Sequence, residues 1–236
     1  MKFILVLSFL RLIFGSTTCS VNQDVTTTIA NWIPTYFAAP LSEVKQEATI
    51  LANVANGAGT IINYAPFAGL NSTTRQYLWS MVQSTGYGAA VGYQNLEYLD
   101  YYDYGSDGWI LSYNAPNSLL NTAYYVDPVT GEATSVYATS TYNVTGRPWY
   151  RETIAAAGSL LMTKPYGSRE GIWTAINAGQ AFYKNGVLEG VLAVYLCLNP
   201  ACGLPTLSQS LVAMNTNPGV VTYVMETATG IMLVSS

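Results

Sequence analysis

The stretch Tyr142-Asn-Val-Thr-Gly-Arg147-Pro148-Trp149-Tyr150 places one cation among three aromatic residues. Arg147 is one of only nine Lys and Arg residues in a chain of 236. A guanidinium binds a carboxylate through two parallel hydrogen bonds, and indole and phenol rings shield such a pair from water while adding donors of their own. The pattern therefore predicts a pocket for a small anionic ligand. The alternative is that Arg147 pairs with a local acid while Trp149 and Tyr150 are core residues.

A family resemblance extends from this stretch toward the C-terminus. The segments that carry it are Gly158, Met162-Thr-Lys-Pro-Tyr166, Ala175 to Tyr183 and Asn185-Gly-Val-Leu-Glu-Gly-Val-Leu-Ala-Val-Tyr195-Leu196. Over residues 142–198 their order and spacing resemble Cache domains, the extracytoplasmic PAS-like sensor modules of chemoreceptors, sensor kinases and channel subunits. The resemblance implies an α+β fold, in which a long N-terminal helix is followed by a PAS-like antiparallel-sheet Cache module and the start of a second module.

The same resemblance implies a set of ligand-binding residues. The pocket positions of amino-acid-sensing double Cache domains match this chain at Tyr142, Arg147, Trp149, Tyr150 and Tyr166. By this resemblance, Arg147 holds a ligand carboxylate. Where the family pattern has an Asp that anchors the ligand ammonium, this chain has Tyr195. Because a phenol does not neutralise a buried ammonium, the expected ligand is a small carboxylate or another polar small molecule, and α-amino acids are in doubt.

Composition excludes several classes of function. The net charge is −4, so no basic surface is expected for a nucleic-acid partner. The chain has no His, which removes the usual general base and the commonest metal ligand. We therefore expect no enzymatic activity, no cofactor and no metal. Asp100, Asp103 and Asp107 lie in a Tyr/Asp-rich tract between Tyr98 and Tyr113, but their spacing departs from a calcium loop and favours solvated hairpin turns.

The N-terminus has the pattern of a signal peptide at residues 1–19. A basic start precedes the apolar run from Phe3 to Phe14, which Arg11 interrupts, and small residues suited to cleavage follow. The run is shorter than the ~20 residues that cross a bilayer, although an uncleaved anchor is the alternative. The sequence thus predicts the secretory pathway and the extracellular face of the plasma membrane.

Cysteines and glycosylation sequons fit an exported chain. Cys197 and Cys202 flank an Asn-Pro turn signal and are expected to form a local disulfide, while Cys19 lies at the predicted processing site. Asn71 and Asn143 each begin an Asn-X-Thr/Ser sequon, and each would mark an exposed loop. A glycan on Asn143 would have to point outward, because the pocket residues beside it point inward.

Periodicity gives the order of the elements and the domain limits. Helices are expected at 24–56 (broken), 71–83 and 151–157, with a further short helix after Pro205. Strands are expected at 86–93, 109–113, 123–126, 135–139, 173–183 and 187–198, with turns at Asp127-Pro-Val-Thr-Gly131 and Lys184-Asn-Gly186 and a Thr-Gly hairpin after Val220. The predicted layout is a long N-terminal helix at 20–60, a membrane-distal Cache module at 61–204, and at 205–236 a linker with the first hairpin of a membrane-proximal module. An isolated hairpin cannot bury an apolar face, so this pattern predicts a fragment of a longer protein.

Two functions remain open from the sequence. The first is the small-molecule-sensing domain of a transmembrane signal-transduction receptor, attached to the membrane through a further C-terminal segment. By analogy with the family, such a domain forms a homodimer along its N-terminal helices. The second is an accessory or adhesive cell-surface glycoprotein similar to calcium-channel auxiliary subunits, in which the fold serves interaction. A secreted enzyme is the least favoured class, because nothing fixes two carboxylates at a catalytic separation.

Overall fold

The computed structural model describes residues 3–10, 72–167, 174–198, 207–214, 220–226 and 232–235, together with part of 27–46. The described residues of that last range, at 27–28, 31–32, 34–35, 38, 42 and 45–46, are helical. They agree with the predicted N-terminal helix, and the other residues of the predicted range 24–56 lie outside the described residues. No helix in these ranges is long and apolar enough to cross a bilayer.

Besides the helical residues of 27–46, the described fold contains two antiparallel sheets and three α-helices. The strands are β1 (Phe3–Leu10), β2 (Gly88–Tyr93), β3 (Tyr98–Asp103), β4 (Trp109–Asn114), β5 (Leu120–Val126), β6 (Ala133–Thr141), β7 (Leu161–Met162), β8 (Tyr166–Gly167), β9 (Thr174–Lys184), β10 (Val187–Cys197), β11 (Val220–Glu226) and β12 (Met232–Ser235). The helices are α1 (Ser72–Thr85), α2 (Pro148–Ala155) and α3 (Leu207–Met214). The predicted α+β class is confirmed.

The larger sheet has nine strands in the order β6-β5-β4-β3-β2-β10-β9-β7, and β8 also pairs with β9. Strands β2 and β10 lie near its centre, and Tyr195 of β10 is opposite Gly88 of β2. Strand β2 pairs with β3 in turn, where Ala90 is opposite Asp100. Chain segments that are nearly a hundred residues apart in sequence are therefore two strands apart in space.

Helix α1 covers one face of this sheet. Its buried apolar residues Leu78, Trp79, Met81 and Val82 recur at the three- and four-residue spacing of one helix face. They pack against alternate residues of the central strands, including Leu192 and Val194. At the C-terminal end the Gly86 N–H donates to the Val82 carbonyl, and the positive φ of Gly86 ends the helix.

Two turns occur where the sequence predicts them. The hairpin between β9 and β10 turns at Asn185 and Gly186, whose φ values of 51° and 79° are typical of a type I′ turn. Between β5 and β6, Asp127 Oδ1 accepts the N–H groups of Val129 and Thr130. Both turns follow from their own residues. The first needs residues that accept a positive φ, and the second needs a side chain that accepts hydrogen bonds from the next few N–H groups.

The Tyr/Asp-rich tract is not the series of solvated turns that its composition predicts. Residues 98–103 form strand β3, and only Gly105–Asp107 form a short 3-10 turn before β4. Asp100 is 5% exposed, between β2 and β4. The prediction was wrong here because the Asp and Gly residues favour turns whereas the tyrosines favour a strand. The alternation of Leu99 and Tyr101 with Tyr98 and Asp100 identifies the strand.

The C-terminal elements match the predicted short helix and hairpin. Strand β11 pairs with β12, and its other edge pairs with β1 in a three-stranded sheet. The strand at residues 3–10 lies within the segment predicted as a signal peptide. The assignment of residues 205–236 to a second module stays a prediction.

Candidate functional site

The predicted ligand-binding residues come together on the sheet face opposite α1. Trp149 and Tyr150 are buried there, and Tyr142, Tyr166 and Tyr195 pack against them. Arg147 lies with its Cζ 4.6 Å from the centroid of the Tyr142 ring, a cation–π contact. We call these six residues, with Tyr98 and Asp100, the aromatic cluster.

Arg147 is held at the start of α2. Pro148 occupies the first turn of the helix, and Arg147 precedes it with an extended backbone (φ −75°, ψ 145°). A residue before proline avoids the helical region, so the Arg147 side chain leaves the chain in a direction that a helical residue would not take. Its Nε is buried and has no hydrogen-bond partner among the described residues. Arg147 also forms no salt bridge with any described residue.

The backbone of Tyr142 is fixed by buried amides. Asn114 donates from Nδ2 to the Tyr142 carbonyl at 2.8 Å, and Asn121 donates to Asn114 Oδ1 at 2.8 Å. The Tyr142 hydroxyl accepts from Trp149 Nε1 at 3.2 Å. Both ends of Tyr142 are therefore held, and its ring gives Arg147 a fixed aromatic surface.

A second polar pair lies at the β9 side of the cluster. Tyr166 donates from its hydroxyl to Asn177 Oδ1 at 2.9 Å. Asn177 is fully buried, and its Nδ2 has no hydrogen-bond partner among the described residues. The Tyr150 hydroxyl is likewise buried without a partner there. A buried donor without a partner lowers the stability of the fold by about 1–3 kcal/mol. A polar ligand that accepts a hydrogen bond from either atom would remove this cost.

Asp100 is the acidic member of the cluster. Its Oδ2 accepts the Tyr98 hydroxyl and, at 3.3 Å, the Tyr195 hydroxyl. The two hydroxyls are themselves 3.0 Å apart. No described residue meets hydrogen-bond geometry with Oδ1. Burial raises the pKa of the Asp100 carboxyl to about 7, although the nearby donors of Tyr98, Ser112 and Tyr195 favour its charged form.

The tyrosine hydroxyls of the cluster stay protonated at neutral pH. Burial raises the pKa of Tyr150 to about 12. Burial is also the main cause that raises the pKa values of the hydroxyls of Tyr98, Tyr142, Tyr166 and Tyr195. Each hydroxyl therefore remains a neutral donor and acceptor, and the formal charges within the cluster are those of Arg147 and Asp100.

Sequence reasoning missed Tyr98, Asp100, Asn114 and Asn177. The alternation in β3 was available as a signal for the first two, since it places Tyr98 and Asp100 on one face. Nothing local identifies the two asparagines, because their partners lie 28 and 11 residues away.

The remaining predicted sites are only partly described. Asn143 is exposed, its Oδ1 accepts from the Thr145 hydroxyl at 2.9 Å, and it lies beside the inward-facing Tyr142. Cys197 ends β10, whereas Cys202 and Asn71 lie outside the described residues. Within the described ranges no group of three or more Cys, Asp or Glu residues is placed to hold a metal ion.

Solved structures with a similar fold are sensory domains. The sensory domain of the Campylobacter jejuni chemoreceptor Tlp3 with isoleucine bound has a TM-score of 0.53 at 15% identity, covering 90% of this chain and 68% of that one. The ligand-binding domain of the Pseudomonas aeruginosa PAO1 amino acid chemoreceptor PctC in complex with GABA has a TM-score of 0.51 at 16% identity, covering 89% and 73%.

These comparisons confirm the resemblance to double Cache sensor domains at the level of the fold. The chain spans about two thirds of the length of the Tlp3 sensory domain. No protein-family model matches this chain, and neither does any curated protein sequence.

Proposed function

We propose that this chain is the extracellular small-molecule-sensing domain of a transmembrane signal-transduction receptor, and that Arg147 binds a carboxylate group of its ligand. Sensory domains with a similar fold have been solved in complex with isoleucine or GABA. The observation that carries the proposal is Arg147 itself. It is a guanidinium with a buried, unpartnered Nε, stacked on Tyr142 and without a salt bridge to any described residue.

The energetic argument is one of compensation. Burying part of a cation is unfavourable unless an anion or several acceptors replace its water. The Tyr142 ring supplies part of that compensation, on the order of 0.5–2 kcal/mol. A bidentate carboxylate supplies more, and does so with a fixed geometry. Preferential binding of such a ligand to one of two arrangements of the cluster would then shift the receptor between signalling states.

Replacing Arg147 tests the carboxylate site. We expect carboxylate-bearing small molecules to raise the melting temperature of the purified chain, since a ligand that binds only the folded state stabilises it. Arg147→Ala should abolish this rise, a loss of at least about a hundredfold in affinity if the ion pair is worth about 3 kcal/mol. Differential scanning fluorimetry with a library of carboxylates and amino acids measures it.

Arg151 provides the matched control, because it is an exposed arginine in α2, the helix that Arg147 precedes. Arg151→Ala removes the same net charge and should leave the ligand-induced rise unchanged. Equal rises in the wild type and in Arg147→Ala would contradict the assignment of Arg147. Absence of any rise across the library would instead favour the accessory or adhesive glycoprotein, in which the fold serves interaction.

Export is a separate part of the proposal. We expect the chain produced in a secreting cell to start near Thr17 to Cys19, because the apolar run of residues 3–14 has the length of a signal-peptide core. Intact-mass spectrometry after deglycosylation measures the N-terminus. Cleavage there would remove β1 and leave β11 paired with β12 alone. A mature protein that retains Met1 would contradict cleavage.

A further inference from the structure

We propose that Asp100 is the cation-binding group of the aromatic cluster, and that the ligand is therefore a small zwitterion with an ammonium as well as a carboxylate. The inference rests on the proposed function, since it adds a second charged contact to the Arg147 site. It replaces the expectation, drawn from Tyr195, that the pocket has no acid for an ammonium.

The first argument is the burial of an acid without a cation. Asp100 is 5% exposed and forms no salt bridge with any described residue. Its Oδ2 is held by the hydroxyls of Tyr98 and Tyr195. Its Oδ1 is buried without a hydrogen-bond partner among the described residues. A fold retains such a group at a cost, and an ammonium that donates to Oδ1 removes that cost.

The second argument is the position of Asp100 relative to Arg147. The Arg147 guanidinium stacks on the Tyr142 ring, and that ring stacks on the Tyr98 ring with centroids 4.7 Å apart. Tyr98 then donates its hydroxyl to Asp100. The cation and the anion are thus connected through two stacked rings, and they form no salt bridge with each other. Such a pair of charges complements a zwitterion, whose carboxylate would lie against Arg147 and whose ammonium would lie against Asp100.

Tyr195 has a different role from the one its sequence position suggests. The family pattern places the acid on β10, whereas here β10 supplies a hydroxyl and the acid comes from β3, two strands away. Tyr195 is then a positioning residue that orients Asp100 through its hydrogen bond. Tyr195→Asp, which would restore the acid of the family pattern on β10, would place two carboxyls side by side and force them to share a proton.

Ligand binding should depend on pH in a defined direction. A ligand cation favours the charged carboxylate, and the pKa of Asp100 without such a partner is about 7. Zwitterion affinity should therefore rise from about pH 6 to about pH 8. The charged and titratable groups nearby do not change over this range. The guanidinium of an arginine is not deprotonated in proteins. Tyr98, Tyr102, Tyr142, Tyr166 and Tyr195 stay neutral, because their pKa values lie above 10.

Matched ligands separate the two charges. L-valine, isovalerate and isobutylamine form one matched set. L-valine has both charges, isovalerate has only the carboxylate, and isobutylamine has only the ammonium. GABA, butyrate and propylamine repeat the set at a longer separation. Isothermal titration calorimetry of the wild-type chain should show one zwitterion binding at least about tenfold more tightly than its des-amino analogue, as expected for one added ion pair.

Asp100→Asn is the decisive variant, because it keeps the shape and removes the charge. The preference for the zwitterion over the des-amino analogue should fall to within about threefold, and its rise with pH should disappear. Asp103→Asn is the matched control on the same strand. Asp103 accepts the Gly105 N–H and is more exposed, so its substitution should leave the preference unchanged. Tyr195→Phe should weaken zwitterion binding but keep its dependence on pH.

The outcomes distinguish this inference from the proposed function. If carboxylates bind through Arg147 and Asp100→Asn does not alter the preference for the zwitterion, the inference is overturned and the sensor proposal stands. If isobutylamine or propylamine binds and Asp100→Asn abolishes this binding, Asp100 is a cation site. If isovalerate, butyrate and the zwitterions then bind Arg147→Ala as tightly as the wild type, the role assigned to Arg147 is wrong. If no compound of either set binds the wild type, the zwitterion inference is overturned.

Discussion

Asp100→Asn should make the folded chain more stable at pH 8, by about 4 kcal/mol, even though it alters the candidate site. The acid has a pKa of about 7 in the folded chain and 3.8 as its ordinary value. Between these values the folded state binds more protons than the unfolded state, so stability is greatest below about pH 4 and is lost as pH rises through about 7. Asparagine has no charge to bury and avoids that loss.

Thermal unfolding from pH 4 to pH 8 measures this effect. The variant and the wild type should be similar near pH 4 and should diverge by roughly 8–16 °C in melting temperature at pH 8. Asp103→Asn should change the slope much less, because the carboxylate of Asp103 is less buried and already accepts the Gly105 N–H. Parallel curves for the wild type and Asp100→Asn would show that Asp100 ionises in the folded chain as easily as in water.

A gain in stability on loss of a functional group is a physical signature of a binding site. The charge of Asp100 is unfavourable in the isolated fold, and it becomes favourable only when a cation lies against Oδ1. A merely structural acid gives the opposite result, since its removal would destabilise the fold. Stability and zwitterion affinity should therefore move in opposite directions in this one variant.

Gly131→Ala should be strongly destabilising, by about 2–5 kcal/mol. A Cβ on Gly131 would lie 2.3 Å from Trp79 Cγ, and the φ of Gly131 is +71°. The backbone cannot move away freely, because the Gly131 carbonyl accepts hydrogen bonds from Arg75 at 2.9 Å and from the Tyr101 hydroxyl at 2.7 Å. Arg75 is 3% exposed and also forms a salt bridge with Glu132. The turn after β5 is thus tied to helix α1.

Gly186→Ala is the control that separates the two causes. Its φ of +79° resembles that of Gly131, but an added Cβ meets nothing within 4 Å. We expect Gly186→Ala to lower the free energy of unfolding by about 1 kcal/mol, because alanine is disfavoured at a positive φ. Chemical denaturation of both variants gives the difference, which measures the contact with Trp79. Equal losses would mean that the Trp79 ring moves aside at no cost.

Local chemistry in the sequence was enough for much of the fold. The Lys184-Asn-Gly186 turn signal predicts the hairpin between β9 and β10. This prediction succeeds because asparagine and glycine permit positive φ values at the residue itself. The amphipathic spacing of α1 is likewise contained in its own residues. The helix predicted at 151–157 begins earlier, at Pro148, because boundaries depend on caps as well as periodicity.

The composition of the candidate site depended on tertiary structure. Tyr142, Arg147, Trp149 and Tyr150 are close in sequence, so one motif was enough to predict that they share a site. Asp100 and Tyr195 are 95 residues apart, and their hydrogen bond exists because β2 lies between their strands. No local preference encodes the order of strands in a sheet, which long-range packing selects. The sequence alone therefore indicated an arginine for an anion, and only the tertiary structure placed a buried acid in the same aromatic cluster.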